Sequence, residues 1–283
     1  MTARKIVLVW CLLAVVVLLA GCSLVGPPSA DEPRESTQPG AEVDTDPDPN
    51  DPEPDPAALF EAAFVHGDDL IDVSGVRTTE ISDGDETATE VVSVAERPYV
   101  EYRSEILEST RTDRDGDVYV SNATSSWWYD PSANAARYYQ SDEPFESDDV
   151  RAARAEQAER QLALYDLEYR GTETVADRET HVLAVEAKDE AVEDGISILV
   201  GDTEFVYALE TVDPTEEVVV LEQRLWIDAE YDYPLKEELR FEGEDGERHT
   251  MVERFDEVTF NDDLPDDEFD YEPPENATIS EIE

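Results

Sequence analysis

The sequence predicts an α+β domain in which antiparallel β-structure dominates. Three observations carry this. Short segments rich in Val, Tyr, Thr and Trp recur along most of the chain, each bounded by turn residues. Two stretches of helix formers without internal turn signals interrupt them. The region from about residue 57 to 279, roughly 220 residues, is long enough for one domain with a sizeable core.

In chain order, Asp55-Pro56 followed by "AALFEAAF" reads as a helix start, with an N-cap and a proline in the first turn. Its end is expected near Gly67 or Asp72. "VRTTEIS", the turn Asp83-Gly84-Asp85 and "TATEVVSVA" form a hairpin signature. "YVEYRSEIL" and "ESTRTD" follow, and Asp115-Gly116 turns the chain into "DVYVSN". "SSWWYD" turns at Pro131–Asn134 into "ARYYQ", which makes a meander. Trp127 and Trp128 must point to opposite faces of their strand, one to the core and one to a rim. "SDDVRAARAEQAERQLALYDL" has no glycine or proline and predicts a helix of four to five turns, apolar only around Leu162, Leu164 and Tyr165. Strands resume with "YRGTETV", "THVLAVEA", "EEVVVLEQRLWID", "PLKEELRFE" and "RHTMVERFDEVTFN". Between them, residues 188–216 hold an extra strand in either "ISILVGD" or "EFVYALE". The C-terminal tail is polar and contains proline, with Phe269 and Tyr271 as its apolar anchors.

The N-terminus carries a different message. Arg4 and Lys5 precede an apolar run from Ile6 to Ala20, too short for a comfortable membrane span. This reads as an export signal over residues 1–21. Leu19-Ala20-Gly21-Cys22 looks like a lipobox, where the cysteine is lipidated and the chain is cut before it. No Arg-Arg pair precedes the run, so general secretion is expected. A two-chain lipid on Cys22 meets the requirement for stable anchoring. It places the protein on the outer face of the cell membrane. Cys11 falls in the discarded segment, so the mature chain has neither disulfide nor free thiol. Residues 22–56 hold "PPSADEPREST" and "TDPDPNDPEPDP", a composition that buries too little to fold. As an extended acidic linker they reach about 100 Å at most. Residues 57–283 remain as the folded domain.

The formal net charge is −53, with acidic residues spread along the whole chain. Such charge opposes compaction by self-repulsion. At about 1 M salt the Debye length is about 3 Å and the repulsion largely vanishes. The composition, poor in lysine and with arginine as the main cation, fits an extreme halophile, an archaeon. No basic patch exists to neutralise phosphates, so nucleic acid is not an expected partner. Two sequons, at Asn122 and Asn276, fit an exported protein and are candidate N-glycosylation sites.

Catalytic and metal motifs are absent. His66, His181 and His249 stand far apart in sequence. There is no Gly-x-Ser-x-Gly and no P-loop. The stretch Asp113–Asp117 resembles the start of a calcium loop but lacks the glycine and glutamate that complete one, and a hairpin turn explains it. No enzyme, metal or cofactor is therefore expected.

Two blocks carry a family resemblance. The first is "YRGTETVADRETHVLAVEA"; the second runs from Leu225 to Ala277. Trp226-Ile227-Asp228, Pro234-Leu235-Lys236, Phe260-Asn261 and Phe269-Asp270-Tyr271-Glu272-Pro273-Pro274 resemble the LolA/LolB/LppX-like superfamily of lipoprotein carriers. The family's usual Gly-Arg turn is Asp177-Arg178 here. The resemblance implies a half-open barrel of about ten or eleven strands with helices covering its concave face. It implies an apolar concave face that receives acyl chains. Beyond the resemblance, isoprenoid chains are a second candidate cargo, and capture from a membrane needs a lid that opens, for which the 147–166 helix is one candidate. Apolar positions on the carrier-like strands, Leu183, Val185, Leu225, Ile227, Leu239 and Phe241, are the candidate lining. The periplasmic carrier has an arginine under its lid; Arg103, Arg111 and Arg137 lie on expected strands, none within a motif. The expected function is a membrane-anchored lipoprotein that binds or transfers a lipid or the acyl chains of a lipoprotein. The alternative is a surface module that grips another protein on the same scaffold, without a ligand cavity.

Overall fold

The computed structural model describes residues 53–82, 84–110, 113–188, 196–197, 201–202, 219–242 and 246–282. The expected signal peptide, Cys22 and all but the last four residues of the expected linker lie outside them. Helix α1 spans Pro56–Phe64, and the Asp55 carboxylate accepts from the Ala57 N–H at 3.2 Å. The helix stops earlier than expected. Val65, at φ −130° and ψ 82°, has already left the helix, and the stretch after it is tied elsewhere: Asn261 Oδ1 accepts from Ile71 N–H at 2.7 Å and Asp72 N–H at 3.3 Å.

Six strands follow: β1 Val73–Ser82, β2 Thr87–Arg97, β3 Glu101–Ser109, β4 Val118–Ser121, β5 Ser125–Asp130 and β6 Ala135–Gln140. These are the expected hairpin and meander. The second helix, α2, spans Ser147–Leu164, with Asp148 and Asp149 in its first turn where the helix dipole favours them. It buries Ala158 and Gln161, whereas Leu164, expected at its apolar end, faces solvent. β7 (Tyr165–Val175) and β8 (Arg178–Ala187) form a long hairpin. Its turn places both Ala176 and Asp177 in the left-handed region, at φ 49° and 60°. That is the two-residue geometry of a tight hairpin, made here without glycine.

Within residues 188–216 the described part is a two-stranded antiparallel pair, β9 (Ile196–Ser197) and β10 (Gly201–Asp202). "EFVYALE" lies outside the described residues. β11 Val219–Asp228, β12 Pro234–Glu242 and β13 Arg248–Phe260 continue the meander. A short 3-10 turn at Asp266–Phe269 leads to β14, Thr278–Glu281.

Twelve strands form one open sheet in the order β14-β6-β5-β4-β3-β2-β1-β13-β12-β11-β8-β7. All pairs are antiparallel except β14 with β6. Together with the two helices this is an α+β half-open barrel, with one strand more than the largest number expected. A bulge between Val76 and Arg77 bends β1 against β13. Gly75 beside it is required, because a Cβ there would lie 2.2 Å from the Glu257 carbonyl oxygen.

Candidate functional site

Helix α1 defines the inner face of the sheet. Its Leu59, Phe60, Ala63 and Phe64 pack on Leu183, Val185, Leu225 and Ile227, together with Ala158 of α2 and Tyr165. Register partners in an antiparallel ladder share a face, so the inner face can be followed from strand to strand. Leu183 opposes Leu225, Leu225 opposes Glu237, and Leu239 opposes both Gln223 and Met251. All six residues expected to line a cavity fall on this face. None is more than 1% exposed: Leu183, Val185, Leu225, Ile227 and Leu239 are at 0% and Phe241 at 1%.

The apolar character of both faces of β8 and β11 has a local explanation. Val182 and Trp226 are opposed on the outer face. The Trp226 ring is covered by the Lys236 ammonium at 3.8 Å, and its N–H donates to Glu173 at 2.8 Å. The lysine stem and the indole shield apolar surface while their polar ends reach water or a partner.

The inner face is not uniformly apolar. A second cluster holds Leu70, Val73, Val92, Val94, Ile106, Tyr233, Leu235 and Phe255. A polar row crosses the sheet beside it. Glu237, Glu253, Thr79, Glu90 and Ser109 are successive register partners on β12, β13, β1, β2 and β3. All five are buried. Each carboxylate has a partner: Gln223 Nε2 donates to Glu237, Thr79 Oγ1 donates to Glu253 at 2.9 Å, and Arg114 Nη1 lies 2.6 Å from Glu90. Arg77 Nε stands 2.8 Å from Glu253, both nearly inaccessible. Burial lifts the Glu253 carboxyl above its ordinary value, against the pull of Arg77. It lifts Glu90 to about 7, against Arg114.

Among the described residues, the buried arginine of the inner face is Arg77, not one of the three singled out in the sequence. Arg103 faces outward beside Glu105 and Glu268. Arg137 is exposed on β6, and Arg111 lies outside the described residues. The signal for the polar row was available: Glu90, Glu237 and Glu253 occupy the apolar parity of "TATEVVSVAE", "PLKEELRFE" and "RHTMVERFDE". With acidic residues at so many positions in the chain, that parity did not stand out.

The three histidines are apart in space as well. His66 is buried against Tyr99 and Tyr233, and burial followed by the Arg154 charge lowers it to about 3. The Tyr169 hydroxyl lies 3.2 Å from His181 Nδ1, and His249 stacks on Phe241. Among the described residues no group of three metal-ligating side chains converges.

The outer face carries the C-terminal segment. Arg97 donates to the Leu264 carbonyl at 2.5 Å and lies 5.3 Å from the Phe269 ring centre. Phe269 is buried, and Tyr271 meets Trp127 and Tyr129 at 6.0 and 6.3 Å. Trp128 points to the inner face and meets Tyr119 at 5.2 Å, so the two tryptophans do take opposite sides. Next to this strap lies an open cleft of about 400 Å³, lined by Ser74, Ser93, Ala95, Arg103, Thr259 and Glu268. None of the six expected cavity residues lines it.

No family model and no curated protein matches the chain. Solved structures do. An uncharacterized conserved protein from Thermus thermophilus aligns at 13% identity and a TM-score of 0.41, covering 80% of this chain and 97% of that one. A LolA superfamily protein from Nitrosomonas europaea aligns at 14% identity and 0.32, covering 76% and 97%. The Mycobacterium tuberculosis lipoprotein LppX aligns at 12% and 0.32, covering 75% and 99%. A LolA superfamily protein and LppX are among the solved structures this chain is similar to. At these values the likeness is one of fold and says nothing of ligand.

Proposed function

We propose that this chain is a lipid-anchored, non-enzymatic protein on the outer face of the cell membrane that binds an apolar ligand, a lipid or a lipoprotein's acyl or isoprenoid chains. The anchor is Cys22, and residues 22–56 let the domain reach the membrane. One observation carries the reading. Among the described residues, the aliphatic patch Leu183, Val185, Leu225 and Ile227 is covered by a nine-residue helix and a largely polar second helix. A cover of that size can give way to a ligand that supplies equivalent apolar contacts. The driving force is then apolar area removed from water, about 25 cal/mol per Å². Leu239 and Phe241 share the inner face on β12 but lie outside that cluster. The acidic composition suits a halophilic archaeal exterior.

A second reading is favoured by a specific observation: the same side chains are already closed over by α1. A closed core suits a module that grips another surface protein. Native mass spectrometry in volatile salt on the mature chain carrying Cys22→Ser, with lipid extraction alongside, separates the two. A stoichiometric lipid adduct supports the first reading. A bare polypeptide mass, while a lipid-binding control keeps its ligand, overturns it in favour of the second.

A further inference from the structure

The two sequons are chemically equal in sequence and unequal in the fold. Asn122 sits in the β4–β5 turn, and its Oδ1 accepts four hydrogen bonds: from Thr124 N–H at 3.0 Å, Thr124 Oγ1 at 3.1 Å, Ser125 N–H at 3.1 Å and Ser125 Oγ at 3.3 Å. Its Nδ2, the atom that would be glycosylated, donates to the Phe269 carbonyl at 3.2 Å. The sequon's own hydroxyl, on Thr124, is therefore turned back onto the asparagine. The turn is fixed by its main chain too: Phe145 N–H donates to Ala123 at 2.7 Å and Gln140 Nε2 to Thr124 at 2.8 Å. Asn122 is a keystone that closes a turn and pins the strap.

Asn276 is the opposite case. Its side chain is exposed, and only its main-chain carbonyl is used, accepting from Asn134 Nδ2 at 2.9 Å. Thr278, the sequon hydroxyl, projects from β14, a four-residue strand with every side chain exposed. β14 pairs with β6 alone, at one edge of the sheet. It can lift away without disturbing either apolar cluster.

We infer that Asn276 is the acceptor of an N-linked glycan and that Asn122 is closed to modification by its structural role. The donor is a polyprenyl-phosphate-linked oligosaccharide. The Asn276 amide nitrogen bonds to the anomeric carbon, the bond from that carbon to the phosphate oxygen breaks, the polyprenyl phosphate leaves, and the amide loses one proton to a base of the transferring enzyme. The product serves the fold. A sugar at the start of β14 shields an edge strand whose outer main-chain groups would otherwise invite pairing with another sheet. The inference rests on the export proposed above.

The test is intact-mass and glycopeptide analysis of the full chain purified from membranes of a halophilic host that glycosylates its own surface proteins. The expected result is a glycan on the Asn276 peptide and none on the Asn122 peptide. Thr278→Ala abolishes it, Thr278→Ser keeps it, and Asn122→Gln leaves the glycan mass unchanged while lowering the melting temperature. A glycan on Asn122 overturns the inference. So does a chain cut before Cys22 that carries no sugar at Asn276 while the host's proteins do. A chain still carrying residues 1–21 and no sugar refutes the export reading instead, and the inference with it.

Discussion

Glu105 lies on the outer face of β3, 2% exposed, with one carboxylate oxygen 3.7 Å from Arg103 and the other without a hydrogen-bond partner. Arg103 is shared with Glu268 of the strap at 3.2 Å. Burial, opposed by Arg103, pushes the Glu105 carboxyl up to about 8. The folded chain therefore holds a proton that the unfolded chain releases near 4.5, the ordinary value. Stability is full below the unfolded value and is lost as pH rises through about 8. Glu90, at about 7, adds a loss of the same sign that ends sooner. Melting in molar KCl should accordingly shift to lower temperature between pH 5 and 8, on the order of several degrees. Glu105→Gln should flatten that slope and raise the melting temperature above pH 8, where a buried carboxylate with only one oxygen near Arg103 costs about 1–3 kcal/mol. A slope unchanged by the substitution would remove Glu105 from the account. Residues of this kind were the least legible from sequence. Burial of Glu90, Glu105, Glu237 and Glu253 depends on which strands flank them, and an acidic side chain at an inward parity looks like any other in a chain with 73 of them.

Elements were far more legible. Turn dipeptides fixed the ends of the first strands because the backbone demands them: Gly84 and Gly116 adopt φ of 99° and 89°. The start of α2 at Ser147 followed from the Ser-Asp-Asp start and the absence of breakers, whereas its end at Leu164 comes before the expected 166. The misjudged ends have tertiary causes. β7 begins at Tyr165, four residues before the expected strand, because the chain leaves α2 straight into pairing with β8. α1 stops at Phe64 because Asn261, nearly 200 residues away, claims the loop behind it. The value of α1 to the fold is testable at one residue. Phe60 is 2% exposed, meets the Phe64 ring at 5.2 Å with a tilt of 55° and packs into the cluster with Leu183 and Leu225. Phe60→Ala should cost about 3–5 kcal/mol if α1 stays in place over the cavity it leaves. If α1 instead lifts as a lid, the cost is smaller and the aliphatic patch binds an environment-sensitive hydrophobic dye. Denaturant melts with and without dye separate the two.

At the scale of the whole molecule, the motif resemblance implied the half-barrel architecture, but the strand order could not be read from local pattern. β1 pairs with β13, nearly the whole domain apart in sequence. Such closure is decided by which apolar faces must meet, and no window of the sequence contains both partners. The charge makes that closure conditional. Acidic side chains on neighbouring strands repel through water when the Debye length is about 30 Å, at 0.01 M salt, and little when it is about 3 Å, at 1 M. Buried ion pairs such as Arg77–Glu253 and Arg114–Glu90 are screened much less than the surface. Salt should therefore act on the exterior alone. The melting temperature should climb steeply with KCl up to roughly 1 M and flatten beyond it, as the screening length falls below the spacing of surface carboxylates. Sulfate salts at equal ionic strength should add a further rise, since excluded ions strengthen apolar burial by a separate route. A domain that melts at the same temperature in dilute buffer and in molar KCl would show that its acidic surface does not oppose folding, and the halophilic reading would fall with it.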